Sequence, residues 1–192
     1  MATFDLGDGI QVRLALLHHA EAVYRTVEPN REHLGRWLPW AWDCKGPEDI
    51  RAFIRQCLLW MAEGKMYLFY LWDGDEVIGS IDVHAVNLDH STGGVGYWLS
   101  QAYTGRGIMT RAAQAIVDFA FGELGLNRVY LRCATGNHAS CAIAERLGFQ
   151  LEGILREEMR NRDRFDDMKL YAMLAREWRE RGPLFKNSME RR

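Results

Sequence analysis

Gly105 and Gly107 flank Arg106 in a short turn between the run Gly96-Tyr97-Trp98-Leu99-Ser100 and the run Ile108-Met109-Thr110. Two glycines let a backbone turn tightly and come close to a ligand. If a helix starts there, its first amide N–H groups lack intrahelical partners, and with the helix dipole they form a site for a phosphate or pyrophosphate. Arg106 and Thr110 could add side-chain donors. A ligand-free strand-to-helix turn would use the same residues, so Gly-x-Gly alone does not decide the matter. No third glycine follows at dinucleotide spacing, the preceding strands read as antiparallel, and no Gly-Lys-Ser/Thr of a Walker loop is present.

Other reactive groups are sparse. Cys133 and His138 invite a thiol–imidazole reading, but Cys133 falls late in a predicted strand and fits packing or a cleft wall better. The six histidines show no metal-ligand spacing, so no metal is expected. Trp37, Trp40 and Trp42 fall in one short segment. They could stack on a planar acceptor or line a peptide groove, or plug the core between the first helices.

The elements that must position these groups follow from periodicity. Residues 10–16 alternate as a strand. Residues 19–38 read helical but split at Pro29, and Pro47 opens a helix that Gly64 ends. Residues 66–72 and 76–86 flank Asp73-Gly74-Asp75 as a hairpin, and residues 95–99 add a third strand. A long helix then carries Ile108, Ala112, Ile116, Phe119 and Ala120 on one face. Strand 127–134, a short helix from Asn137 to Leu147, and strands 149–155 and 167–174 complete one mixed α/β domain. The charged tail from Arg176 is expected to be frayed or peripheral.

The chain of 192 residues is 48% hydrophobic and 26% charged, which suits a single core and excludes extensive disorder. Its formal net charge of -2 leaves no general nucleic-acid or membrane footprint. No apolar run approaches the ~20 residues of a membrane span. The polar start from Met1 to Asp5 lacks a signal-peptide pattern, and the four cysteines show no CxxC spacing. A reduced, cytoplasmic protein is the expectation.

The segment 96–110 resembles the acetyl-CoA signature of the GCN5-related N-acetyltransferases, Arg/Gln-x-x-Gly-x-Gly/Ala. The run Asn137-His138-Ala139-Ser140, closed by Leu147-Gly148-Phe149, resembles that family's second hallmark. Details are similar to the branch that acetylates the N-termini of ribosomal proteins: Gly96-Tyr97-Trp98-Leu99, Gly107-Ile108-Met109-Thr110, and Asn30-Arg31-Glu32-His33-Leu34 with Trp37-Leu38-Pro39-Trp40. The likeness extends from Ile10 to about Leu174.

That resemblance implies a mostly antiparallel mixed sheet with a splayed central strand pair and helices on both faces. Trp98, Leu99 and Ser100 would border the pantetheine arm, with Leu99 and Ser100 bonding its amides. The N–H groups of Gly105, Arg106, Gly107, Ile108, Met109 and Thr110 would hold the pyrophosphate, and Asn137 would bond the cofactor or cap its helix. Ser140 would stabilise or protonate the thiolate, and Glu157 or Glu158 lies close to where the branch places its acid residue. Adjacent strand residues face opposite ways, so at most one of the two should face the site. Trp37, Trp40, Trp42 and Glu28 would bind the acceptor, with Glu32 and Asp43 as further partners for a cationic amine.

Four positions depart from the family pattern. The signature opens on Thr104 and closes on Met109, the usual basic glutamate is Gly94, and the usual acidic tyrosine is Ala144. The implied activity is acetyl-CoA-dependent N-acetylation of a primary amine by direct attack in a ternary complex, with a protein N-terminus as the expected acceptor. A small-molecule acetyltransferase acting on an aminoglycoside, aminoacyl-nucleotide or polyamine stays open, as does a non-catalytic acetyl-CoA-binding module. An edge strand near the C-terminus could support a homodimer. The expected division is an N-acetyltransferase domain over 1–176 and a charged tail over 177–192.

Overall fold

The computed structural model describes residues 3–181. Eight strands form one sheet in the order β1-β2-β3-β4-β5-β6-β8-β7. Strands β1 (Thr3–Asp5) and β2 (Ile10–Leu14) form one edge, and α1 (Ala20–Val27), α2 (Arg31–Gly35), α3 (Trp40–Asp43) and α4 (Pro47–Ala62) follow. The break after α1 falls at Pro29, which cannot donate to a helical ladder. In α4, proline occupies the first turn beside Glu48 and Asp49, and all three suit a helix N-terminus.

The hairpin of β3 (Tyr67–Asp73) and β4 (Glu76–Asn87) turns at Gly74, with φ +57°. Strand β5 (Thr92–Leu99) completes the meander and feeds α5 (Ile108–Gly122), which returns to β6 (Arg128–Ala134). This crossover makes β5–β6 the parallel pair in an otherwise antiparallel sheet. Helix α6 (His138–Arg146) precedes the long hairpin of β7 (Gln150–Asn161) and β8 (Arg164–Leu174), and α7 (Ala175–Arg181) ends the described chain.

Each face of the sheet carries its own core. Ile116, Ala112, Leu147 and Ala144 from α5 and α6 pack on Phe69, Ile81, Val95 and Leu131. Ile54, Val23 and Cys57 from α1 and α4 pack on Leu68, Tyr70, Trp72 and Trp98 on the other face. Strand β3, apolar nearly throughout, supplies both.

Two sequence expectations need correction. The first strand ends at Leu14, and it is preceded by β1, whose three residues are too short to show a period. The tail is anchored at its start: in α7, Trp178 Nε1 donates to Asp118 Oδ1 at 2.6 Å and the ring packs near Phe121. The rest of the expected tail, 182–192, lies outside the described residues.

Candidate active site

Strands β5 and β6 pair only from Thr92 opposite Arg128 to Val95 opposite Leu131. Beyond that rung β5 stays bonded to β4 as far as Leu99, and β6 stays bonded to β8 as far as Ala134. The two central strands therefore part, leaving the β6-facing edge of Gly96–Leu99 without a strand partner. A cavity of about 680 Å³ occupies the opening and reaches both faces of the sheet. An unpaired strand edge can bond an extended chain that carries amides.

At one end of the cavity lie Gly105, Gly107, Ile108, Met109 and Thr110. Gly105 and Gly107 adopt φ +77° and +70°, the left-handed region in which side chains are strained. That turn ends with Gly107 as the N-cap of α5. The first helical bond runs from Arg111 N to Gly107 O at 3.1 Å, so the amides of Ile108, Met109 and Thr110 precede the ladder. Arg111 and Arg146 also line the cavity. The Nε of Arg111 is buried without a hydrogen-bond partner, while its Nη2 lies 3.3 Å from Asp8. Amides, dipole and two guanidiniums together suit a polyphosphate. Arg106 instead stacks 5.0 Å from the Tyr103 ring and is not part of the cavity wall.

At the other end the strands rejoin, and three side chains converge. The Tyr97 hydroxyl lies 3.0 Å from Ser140 Oγ, which donates to Cys133 Sγ at 3.2 Å. Asn137 Oδ1 accepts Ser140 N–H at 3.2 Å, capping α6 and fixing the serine. Burial holds the Tyr97 hydroxyl well above its ordinary range, so it stays a neutral donor. Burial likewise pushes the Cys133 thiol up to about 11. A protonated thiol bonded to Ser140 is no nucleophile, consistent with its expected place in a cleft wall.

The expected acid residues are placed differently. Glu157 has φ +51° in an irregularity where β7 slips against β8 between Leu155 and Met159. Its N–H bonds Asp167 Oδ1 at 2.8 Å. This bulge breaks the alternation assumed for the strand, and Met159 is the β7 residue that lines the cavity. Glu158 stays at the rim, its carboxylate 2.8 Å from Arg132 Nη1, and Arg132 is a cavity residue.

The acceptor-side residues divide in the same way. Trp37 lines the cavity with His33, Leu34 and Leu38. Trp42 does not: its Nε1 donates to Gly35 O at 2.7 Å and Arg162 stacks 3.9 Å from its ring, so it fixes α2 to the β7–β8 hairpin. Trp40 is exposed and leans toward Trp98, and Glu28 accepts the Tyr24 hydroxyl at 3.0 Å away from the cavity. Trp98 contributes at the cavity, while its indole packs with the α1–α4 core. Ser100 lies outside the wall: its N–H bonds Ile78 O at 2.8 Å and its carbonyl accepts Tyr103 N–H at 3.0 Å. Its N–H is thus bonded within the sheet, and the last β5 residue in the ladder is Leu99.

Sequence reasoning assigned no role to Tyr97, Arg111 or Arg132. Alternation along β5 puts Tyr97 on the face of Val95 and Leu99, toward α6. Nothing local marks Arg111 or Arg132, because their place depends on the crossover.

A parted parallel strand pair beside a glycine-capped helix, opening on one cavity, is the central feature of this mixed α/β sheet. A family profile described as the acetyltransferase (GNAT) domain matches residues 10–150. The chain belongs to that family and is an N-acetyltransferase by kind. It is 32% identical to a Bacillus subtilis protein provisionally named ribosomal N-acetyltransferase YdaF, over 93% of this chain and 98% of that protein. It is 27% identical to the ribosomal-protein-serine acetyltransferase of Escherichia coli, over 90% and 96% of the two chains. A crystal structure described as a probable acetyltransferase superposes with a TM-score of 0.87 at 30% identity, covering 93% and 99%. The ribosomal L7/L12 α-N-protein acetyltransferase RimL, solved with coenzyme A, shares the fold at a TM-score of 0.86 and 24% identity, over 90% and 98%. Among the described residues no helix is long and apolar enough to cross a membrane.

Proposed function

We propose that this protein transfers the acetyl group of acetyl-CoA to the N-terminal α-amine of a protein, by direct attack within a ternary complex. The unpaired edge of β5 carries this reading. It spans roughly 13 Å over four residues, from the phosphate-holding turn at Gly105 and Gly107 to the Ser140–Tyr97 hydroxyls. A pyrophosphate held by the α5 amides, Arg111 and Arg146 would send its amide-bearing arm along that edge. The arm must stop where β5 and β6 rejoin at Val95 and Leu131, which sets the thioester beside Ser140.

The neutral amine attacks the thioester carbon, a C–N bond forms, and the carbonyl electrons move to oxygen. Collapse breaks the C–S bond and leaves the electron pair on sulfur. Ser140 O–H, turning from Cys133 Sγ and accepting from the Tyr97 hydroxyl, donates to that sulfur, and the proton shed by the attacking nitrogen neutralises the thiolate. No carboxylate stands at Gly94 and no tyrosine at Ala144, so the hydroxyl pair takes the leaving-group role.

The chemistry of the mouth supports a peptide acceptor. Trp37, Leu34, Leu38 and Met159 are apolar, and the rim carboxylate Glu158 is neutralised by Arg132. A polycation would want unpaired acids there, whereas an uncharged N-terminal residue would fit beside the indole. The test is to incubate the protein with acetyl-labelled acetyl-CoA and an unacetylated bacterial lysate, then separate proteins from small molecules. Label in one or two protein bands, mapped to their N-termini, supports the proposal. Label confined to the low-mass fraction overturns it in favour of a small amine.

A further inference from the structure

The cavity wall carries three guanidiniums, Arg111, Arg132 and Arg146, and among the described residues no aspartate or glutamate lines it. Two more guanidiniums stand exposed beside its mouth. Arg36, the residue after α2, stacks 5.0 Å from the ring of Trp37, and Trp37 is itself part of the wall. The far edge of that indole abuts the turn before α6. A Cβ on Gly136 would fall 3.3 Å from it, and the next residue, Asn137, holds the Ser140 N–H. The indole therefore bridges from the turn that fixes Ser140 to the Arg36 guanidinium. Arg162 stacks 3.9 Å from the Trp42 ring, and Trp42 bonds the carbonyl of Gly35, one residue before Arg36.

The backbone that carries these two cations is held firmly. Buried Asn161 donates from Nδ2 to Gly35 O and Arg36 O, each at 3.1 Å, and Arg164 Nη2 donates to Arg36 O at 2.6 Å. The tip of the β7–β8 hairpin thus grips the end of α2 through carbonyls that a helix leaves unpaired. Arg162 opens the tight turn between Asn161 and Arg164 at φ +58°, a conformation that favours glycine. Nearby Arg132 and Arg164 are neutralised by Glu158 and Asp166. Among the described residues no carboxylate pairs with Arg36 or Arg162, although Glu32, Asp43 and Asp163 lie near in sequence.

We propose that Arg36 and Arg162 receive carboxylates of the acceptor polypeptide a few residues behind its N-terminus, so that acidic N-terminal segments are the preferred acceptors. This names the acceptor class for the transferase reading above and rests on it. With the amine beside Ser140, an extended chain leaving past Trp37 advances about 3.3 Å per residue, which brings roughly its third to sixth residues to the α2–hairpin rim. A guanidinium already laid on an indole loses little freedom on meeting a carboxylate, and its parallel N–H groups match the two oxygens. A basic segment meets repulsion there, because the wall holds no acid and these two arginines are unpaired. The preference therefore runs opposite to that of a site built for polyamines.

The experiment uses three Ser-initiated peptides with the same second residue, carrying glutamate, glutamine or lysine at the third to sixth positions. Through two exposed charge pairs, kcat/KM for the glutamate peptide should exceed that for the glutamine peptide by about 5- to 10-fold, chiefly in KM. The gap should close as salt rises, and the lysine peptide should be the poorest. In the double variant Arg36→Gln, Arg162→Gln the glutamate-to-glutamine ratio should fall to within about twofold. In Arg36→Glu, Arg162→Glu the lysine peptide should become the better acceptor, an inversion that loss of structure does not produce. KM for acetyl-CoA reports that the fold is kept. A ratio near one in the unaltered protein, or the same ratio in the first double variant, would overturn the proposal. Rates indifferent to charge, with a molecular mass that rises with concentration and falls in that variant, would give the surface to a second copy of the chain instead. If no peptide is acetylated, the transferase reading is what has failed. Anisotropy of labelled glutamate and glutamine peptides, titrated with the protein and coenzyme A, then reads the surface alone. Tighter glutamate binding that the double variant loses supports the docking surface, and equal binding overturns it.

Discussion

The Tyr97 hydroxyl and Ser140 Oγ stand 3.0 Å apart across a separation of 43 residues, joining β5 to α6 at the closed end of the cavity. Ser140→Ala removes the donor nearest the proposed leaving sulfur. A hydrogen bond to a charged group contributes about 1.5–3 kcal/mol, so kcat should drop on the order of 10- to 100-fold. Tyr97→Phe leaves the serine in place and should cost less. Neither change touches the phosphate end, so KM for acetyl-CoA should hold within about threefold. Steady-state kinetics on both variants checks this, and an unchanged kcat in Ser140→Ala would remove the serine from the mechanism.

Gly107→Ala and Gly122→Ala should act in opposite directions. Gly107 caps α5 at φ +70°, where an L side chain costs about 1–2 kcal/mol, and relaxing that strain would turn the α5 amides off their ligand. Melting temperature and coenzyme A affinity should both fall. Gly122 ends α5 with nothing within 4 Å of an added Cβ, so alanine there should gain about 0.5 kcal/mol and leave affinity alone. Calorimetry reads both quantities.

Asn30 Oδ1 accepts the Gln101 N–H at 2.9 Å and the Ser100 hydroxyl at 3.4 Å, while its Nδ2 donates to Thr26 O at 2.9 Å. One side chain thus ties the acceptor-side helices to the start of the phosphate turn. Asn30→Ala should destabilise by roughly 1–3 kcal/mol. It should also raise KM for acetyl-CoA, because the turn loses its brace. Denaturant unfolding with kinetics on the same variant tests both.

His19 makes stability depend on pH. Its Nδ1 accepts the Leu16 N–H at 3.2 Å, and burial, then the charges of His18 and Arg13, lower its pKa to about 4. Between about 4 and 6.5 the unfolded chain binds the proton and the folded one does not, so stability falls as pH drops through that window. His19→Gln should flatten this slope in melting curves recorded from pH 4 to 7. A slope as steep as in the unaltered protein would show that other groups cause it.

Trp42 and Trp37 should separate stability from function. Trp42 grips Gly35, where an added Cβ would fall 2.3 Å from its ring, so Trp42→Ala should cost on the order of 3 kcal/mol. Trp37 lines the cavity, so Trp37→Ala should raise KM for the acceptor more than it lowers the melting temperature. Thermal unfolding beside acceptor titration shows which tryptophan does which.

Much of this architecture is local and was legible. The Gly74 turn, the glycine cap of α5 and the Asn137 cap of α6 each depend on a few consecutive residues whose backbone freedom or hydrogen-bonding decides the outcome. The helical period named most of the buried face of α5, Ile108, Ala112, Ile116 and Ala120, for the same reason. The glycine turn before α5 could therefore be read without the fold, and the motifs at 96–110 and 137–149 sufficed for the family.

Other features depend on register between distant segments. Where β5 leaves β6, and that Ser100 is already bonded to Ile78, follow from pairing across the sheet. Between Leu155 and Met159, β7 advances four residues while β8 advances two, so the segment carrying Glu157 leaves the ladder and Met159 is the β7 residue in the cavity wall. The aromatic segment splits into a structural Trp42 and a cavity-lining Trp37 only once the β7–β8 hairpin closes over α2. His84 beside Gly94 is the clearest case. Gly94 stands out in the sequence only as a departure from the family pattern, and the pairing of β5 with β4 and β6 is what lays the His84 imidazole and the Tyr130 ring against its missing side chain. The sequence determined the family and the glycine turn that caps α5 through short-range backbone chemistry. The tertiary structure decided which side chains meet in the cavity, because those meetings are set by strand register and crossover.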